Sequence, residues 1–211
     1  MQRIILASTS PRRKELLALL GVPFDVWAPT FVEEPIPDRL PREQVAIFAL
    51  EKARSGAVVW PDDLVLGGDT VIEVEGKFWG KPCDMVEARR MLVSLAGRAH
   101  HVYTAVALCH RAQSLERVRV ETATVFMKAD ETQIERYLAT DEWRGKAGGY
   151  SIQGQGAQLI DHIEGDYTTV VGLPLHAVVD LLRSAGYPIS QQVVEELYRR
   201  KPYPNWARFV A

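Results

Sequence analysis

Apolar and polar positions fall into blocks along the 211-residue chain, and the period of the blocks changes. The opening Ile4-Ile5-Leu6-Ala7 is a continuous apolar run of strand length. Ser8-Thr9-Ser10-Pro11 interrupts it, and apolar Leu16, Leu17, Leu19 and Leu20 then recur with helical spacing. That change of period predicts a strand, a tight turn and a helix start. Ser10 suits the cap, and Pro11 suits the first turn because its missing N–H is not needed there. Gly21-Val22-Pro23 stops the helix, and residues 24–27 predict a second strand. Residues 28–42, rich in proline (Pro35 among them) and acid, predict a loop that serves as a lid or as a plain surface connection.

Pro41 opens a helix expected to reach about Ser55, with Lys52 near its end. Leu64-Val65-Leu66 predicts a buried strand that ends at Gly67-Gly68-Asp69-Thr70, with another strand over 71–74 and a tight turn at Glu75-Gly76-Lys77. A helix over 85–96 stops at Gly97. Strands follow over 101–109 and, as one or two pieces, within 116–128, around a polar tip at 111–115. A helix over 131–140 precedes the glycine-rich stretch 144–156. Short strands are expected over 158–163 and 168–171, then helices from Pro174 to about Ala185 and over 190–200. The mixture predicts an α/β fold without a regular βαβ rhythm, in one domain or two closely joined lobes.

Composition removes several alternatives. A net charge of −2 gives no global basic field, so nucleic-acid binding has no support, although a small anion needs only a local basic pocket. No apolar run reaches membrane-spanning length, and Ile4-Ile5-Leu6-Ala7 is too short for a signal sequence, so a cytoplasmic protein with no membrane partner is expected. Cys83 and Cys109 lack zinc-site spacing, and the five histidines show no metal-ligand pattern. There is no GxSxG elbow, no Walker loop and no Rossmann fingerprint.

Three stretches carry candidate chemistry. The first helix start joins free N–H groups and a positive dipole end to Arg12, Arg13 and Lys14 and the hydroxyls of Ser8, Thr9 and Ser10. Phosphate suits it, and so does an ordinary capped turn with solvated cations. Asp69, behind two glycines, is placed to hold a divalent metal or take a proton from an attacking water, or simply to make a turn. If 71–74 and 78–79 pair, Lys81 returns toward Asp69, and Lys52 adds a second charge. Two lysines and Arg12 around a carboxylate suit a triphosphate and its metal, against the plainer reading of solvated surface lysines. In the third stretch, Gln153 offers the donor and acceptor that reading a base edge requires, within what is otherwise a flexible glycine loop.

Leu6-Ala7-Ser8-Thr9-Ser10-Pro11-Arg12-Arg13-Lys14-Glu15-Leu16-Leu17, Gly68-Asp69-Thr70-Val71 and Gly80-Lys81-Pro82 come in this order. Glu121-Thr122-Ala123-Thr124-Val125-Phe126, Lys146-Ala147-Gly148-Gly149-Tyr150-Ser151-Ile152-Gln153-Gly154 and Val170-Val171-Gly172-Leu173-Pro174 follow. Together they resemble the Maf family of nucleoside triphosphate pyrophosphatases over about residues 4–182. The resemblance implies cleavage between the α and β phosphates with a divalent cation, Mg²⁺ or Mn²⁺. It implies Asp69 as proton acceptor and links Arg12, Thr70 and Gln153 to substrate choice. Ser8, Arg13, Lys52 and Lys81 are expected to bind substrate, and Glu33 (or Glu34) to join Asp69 at the metal. The glycine-rich block is similar to the branch acting on dTTP and UTP, rather than that acting on 7-methyl-GTP. The implied fold is an elongated mixed sheet flanked by helices, two lobes with a central cleft, similar to inosine triphosphate pyrophosphatases. Residues 187–211 form a C-terminal extension, and a homodimer is a family expectation. Gly68, Ala105 and Thr169 depart from the family pattern of alanine, glycine and asparagine. A nucleotide-sensing regulator of cell division that binds without turnover is the alternative reading.

Overall fold

The computed structural model describes residues 2–34 and 36–209; Pro35 of the predicted loop and the last two residues of the predicted extension lie outside them. Strand β1 (Ile4–Ala7) passes through Ser8-Thr9-Ser10 into helix α1 (Pro11–Ala18), whose cap is Ser10: its hydroxyl accepts from the Arg13 N–H. Strand β2 (Phe24–Trp27) follows, then helix α2 (Pro41–Val59) and strand β3 (Leu64–Val74). The turn at Glu75 and Gly76, both with positive φ, folds β4 (Lys77–Trp79) back on β3. Helix α3 (Met85–Leu95) leads to the long hairpin of β5 (Ala99–His110) and β6 (Leu115–Met127). Then come α4 (Glu131–Leu138), a 3₁₀ turn over Gly154–Leu159, β7 (Ile160–Glu164), and helices α5 (Tyr167–Val171), α6 (Leu175–Ser184), α7 (Gln191–Arg200) and α8 (Trp206–Phe209).

The seven strands form one mixed sheet in the order β2-β1-β3-β5-β6-β7, with β4 on the far end of β3. Strand β1 lies parallel to both its neighbours, and the other pairings are antiparallel. Successive side chains of β3 point to opposite faces, as strand geometry requires. Leu64, Leu66, Ile72 and Val74 join the larger core with Leu16 and Leu17 of α1 and Leu92 of α3. Val65 and Val71 join a smaller one with Val45, Ala49 and Ala53 of α2. The predicted α/β class with a mixed sheet flanked by helices is the observed one. Among the described residues no helix is long and apolar enough to cross a membrane.

Four local expectations are corrected. β3 does not end at Gly67-Gly68-Asp69-Thr70 but runs straight through, because its ladder to β5 is continuous from Val65 opposite Cys109 to Glu73 opposite His101. The glycines there permit close approach rather than a turn. α2 continues past Ser55 to Val59, because Gly56 packs on Val65, where a Cβ would lie 2.8 Å from Cγ1. Within 116–128 the choice between one strand and two resolves to one, β6. Residues 168–171 are helical despite two threonines and two valines: the Asp166 carboxylate accepts the N–H groups of Thr168 and Thr169 and caps a helical turn, and that capping outweighs β-propensity. Residues 158–159 likewise belong to the 3₁₀ turn, and the strand begins at Ile160.

Candidate active site

Strand β3 puts the site on both faces of the sheet. Gly67 and Asp69 face α2. A Cβ on Gly67 would come within 2.2 Å of the Ala49 carbonyl oxygen and 2.7 Å of the Ala53 nitrogen, so the helix backbone lies directly on the glycine. That close approach brings Lys52, one residue before Ala53, onto Asp69: Nζ donates to Oδ1 at 2.7 Å. Both residues are about 5% exposed or less. The same ammonium lies 2.5 Å from Glu33 Oε1, carried in by the loop after β2, and Lys81 Nζ lies 3.5 Å from Glu33 Oε2.

The opposite face holds Gly68 and Thr70. Arg13 of α1 passes over Gly68, where an added Cβ would meet its Nε at 3.1 Å. The guanidinium donates from Nε to the Gly172 carbonyl at 2.9 Å and from Nη2 to the Thr70 hydroxyl at 3.1 Å. Thr70 in turn touches the Thr104 hydroxyl at 3.1 Å, and Thr104 donates to the Thr169 carbonyl at 2.7 Å. Threonine at position 169 also bonds Asp166 through its own hydroxyl. Capping by Asp166 therefore holds α5 where the Thr169 carbonyl fixes Thr104, which touches Thr70, and where the Gly172 carbonyl just past the helix fixes Arg13.

These groups open into a cavity of about 530 Å³. Ser8, Arg12, Arg13, Glu33, Lys52, Asp69, Thr70 and Lys81 all line it, so eight of the nine sequence candidates meet in one place. Gln153 does not line it, although its neighbours Ser151 and Ile152 do, and neither does Glu34. Sequence reading missed Arg144, Lys146, Phe31 and Tyr150. Lys146 opens the glycine-rich block, and its cationic type beside that block was the available signal. Tyr150 is buried, and its hydroxyl lies 2.7 Å from His100 Nε2, a contact with no local signal in the sequence.

The charges are strongly coupled. Six lysines and arginines line the cavity against two carboxylates, Asp69 and Glu33, which suits a highly anionic ligand. Burial pushes the Asp69 carboxyl above its ordinary range, while Lys52 and Arg13 pull against it. Burial works on Glu33 in the same sense, but Lys52, then Lys81 and Arg13, outweigh it and hold that carboxyl below its usual range. Burial, then the neighbouring Arg13 charge, lowers Arg12, and burial followed by Arg12 lowers Lys146. Cations crowded this way gain most from a bound anion.

Two carboxylates converging on one ammonium also form an all-oxygen donor pair, the set that suits Mg²⁺ or Mn²⁺. Among the described residues no cluster of three or more His, Cys, Asp or Glu could hold a metal alone. The donors fit a cation that takes its remaining ligands from phosphate and water.

The site thus has the character of an anhydride- or phosphate-handling cleft in an α/β protein. The sequence model for Maf-like proteins matches residues 3–185, and the chain belongs to the Maf family. The dTTP/UTP pyrophosphatase of Symbiobacterium thermophilum is 47% identical over 189 residues, covering 90% of this chain and 97% of its own. That of Moorella thermoacetica is 47% identical over 195 residues, 92% of this chain and 100% of its own. Among solved structures, a nucleoside-triphosphatase (dITP/XTP pyrophosphatase) from Mycobacterium abscessus aligns with a TM-score of 0.44 at 16% identity, over 89% of this chain and 100% of its own.

Proposed function

We propose that the chain hydrolyses dTTP and UTP to the monophosphate and pyrophosphate, with Asp69 as the base. The observation that carries this reading is the buried Asp69 carboxylate held at 2.7 Å by Lys52 inside a cavity lined by six cations. The relatives' shared name supports the substrate class.

Water attack on a phosphoryl centre needs placement and charge neutralisation more than covalent help. No nucleophilic cysteine serves the cavity: Cys109 is buried elsewhere and its thiol is pushed up to about 12 by burial. A carboxyl raised by burial is a stronger base than a surface aspartate, and the Asp69 oxygen not engaged by Lys52 can receive the water proton. Arg12, Arg13 and Lys81 oppose the charge that develops on the phosphate oxygens and the leaving pyrophosphate. Arg13 is pre-aimed by Gly172 and Thr70, so it loses little freedom on binding. A divalent cation held by Asp69 and Glu33 would supply Lewis-acid polarisation of the phosphate. Arg12, Thr70 and the segment carrying Gln153 are assigned to substrate choice.

The test is pyrophosphate release from dTTP, UTP, CTP, GTP, 7-methyl-GTP and ITP with Mg²⁺ or Mn²⁺, with Asp69→Asn alongside. Release from dTTP and UTP that falls at least 100-fold in the variant is the expected result. Turnover of 7-methyl-GTP instead would overturn the substrate assignment. Tight nucleotide binding without release would leave a sensor rather than an enzyme.

A further inference from the structure

The family match ends at residue 185, and the chain continues through α7 and α8. That segment returns to the site at a specific place. Asn205 Nδ2 lies 3.3 Å from the Ile152 carbonyl and 3.2 Å from the Gly154 carbonyl. One side-chain amide therefore grips the two peptide groups on either side of Gln153. The segment it holds is otherwise pinned at its two ends, by the buried Ile152 and by the Gln155 N–H donating to Glu142 Oε2 at 3.0 Å; between them Gly154 sits at φ +66°, a region open to glycine, and the Gln153 N–H makes a long contact to the Ser151 hydroxyl at 3.3 Å.

Asn205 itself is anchored. Trp206, its neighbour, is fully buried and stacks on Tyr167 of α5 at 5.2 Å between ring centres. Arg208 ties the same helix to the Ile160 carbonyl at 3.1 Å. A donor fixed by a buried aromatic and aimed at two carbonyls is preorganised, so it restricts the loop at small entropic cost.

We propose that Asn205 is a positioning residue for nucleotide selection: it sets the backbone that presents Ser151 and Ile152 to the cavity and determines where Gln153 can reach. The inference rests on the nucleotide reading of the cavity. It adds that the segment beyond the family match completes the specificity loop.

The test compares the native chain with Asn205→Ala, with the isosteric Asn205→Asp (which loses the donor), and with Arg208→Ala, which removes a carbonyl contact on the same helix away from the loop. Three readouts are taken: amide hydrogen exchange over residues 151–156, binding of non-hydrolysable α,β-imido analogues of dUTP and GTP, and kcat and KM for dTTP and GTP. Both Asn205 variants are expected to exchange at least tenfold faster over 151–156. Their pyrimidine-over-purine preference should fall at least threefold, through binding and KM, with kcat for dTTP within about twofold of native. Arg208→Ala should leave both the preference and the exchange of 151–156 at native values. An unchanged preference in the Asn205 variants, or an equal loss in Arg208→Ala, overturns the inference. Native protein that turns over no nucleotide fails the pyrophosphatase reading instead, and analogue preference with loop exchange still decides the role of Asn205.

Discussion

Gly67→Ala tests the packing that assembles the site. The new Cβ would lie 2.2 Å from the Ala49 carbonyl oxygen and 2.7 Å from the Ala53 nitrogen, and ordinary contact begins near 3.4 Å. Both obstacles are backbone atoms of α2, so no side-chain rotation relieves them. The helix must retreat by about 1 Å, since repulsion rises steeply inside contact distance. Lys52 lies between those two residues and moves with them, so its 2.7 Å bond to Asp69 stretches beyond hydrogen-bonding range. Overpacking of this kind costs about 1–3 kcal/mol of stability. A displacement of ~1 Å in catalytic machinery costs on the order of 100-fold in rate. Gly68→Ala is the internal comparison: its Cβ crowds Arg13 side-chain atoms at 3.1 and 3.2 Å, which can give way, and meets the Ala105 carbonyl oxygen at 3.5 Å, an ordinary contact. Urea unfolding and dTTP turnover on both variants measure the effect. The expected order is a large loss in both for Gly67→Ala and less than about a tenfold loss of turnover for Gly68→Ala. Native stability and turnover in Gly67→Ala would refute the claim that helix approach at this glycine sets the Lys52–Asp69 contact.

His100 provides a pH prediction. Burial, with a lesser push from His101, lowers its pKa from 6.5 to about 3. The native state therefore keeps it neutral, its stabilisation is complete above 6.5, and stability drains as pH falls toward 3, by about 1.4 kcal/mol per unit or ~2 kcal/mol by pH 5. His100→Gln, which cannot protonate, should show a correspondingly smaller loss between pH 7 and pH 5 in urea unfolding, and parallel losses would reject the assignment. Thr104→Val leaves the Thr169 carbonyl without its buried donor and should cost about 1–3 kcal/mol by the same measurement. Arg13→Lys replaces a fork that spans Gly172 and Thr70 with a single ammonium, and KM for dTTP should rise at least about tenfold, which steady-state kinetics would show. Arg54→Ala breaks a half-exposed pair with Glu116 and should change stability by less than about 1 kcal/mol, read from the urea midpoint.

Much of this was legible in the residues, and the gaps have physical causes. Ser10 and Pro11 announced α1 because capping is local chemistry, and Glu75-Gly76 announced the β4 turn for the same reason. The gathering of Asp69, Lys52, Lys81 and Arg13 was foreseen from motif order and the predicted hairpin, whereas Glu33 came only with the family resemblance, as one of two adjacent glutamates. What failed was the meaning of Gly67-Gly68. Glycines in a strand sequence resemble a turn unless the element packed against them is known, and that α2 folds back onto β3 at Gly67 is a tertiary contact that the local residue pattern does not carry. α5 failed for a related reason: its threonines and valines favour strand, and the single carboxylate of Asp166 decides otherwise. Lys146 and Tyr150 escaped notice because their reach into the cavity depends on tertiary packing.

The alternation along β3 has a consequence for which changes of chain length the protein can survive. Asp69 serves the α2 face and Thr70 the α1 face, so deleting or inserting one residue upstream in the strand would exchange them. Lys52 would then meet a hydroxyl, and Arg13 a carboxylate, with every apolar neighbour inverted as well. Indels inside β3 therefore cannot be partial losses. The β5–β6 tip at 111–114 is different: its side chains are exposed and none of them lines the site cavity. Length variation, and any fused peptide, belongs at that tip rather than near the strand that carries the charge pair.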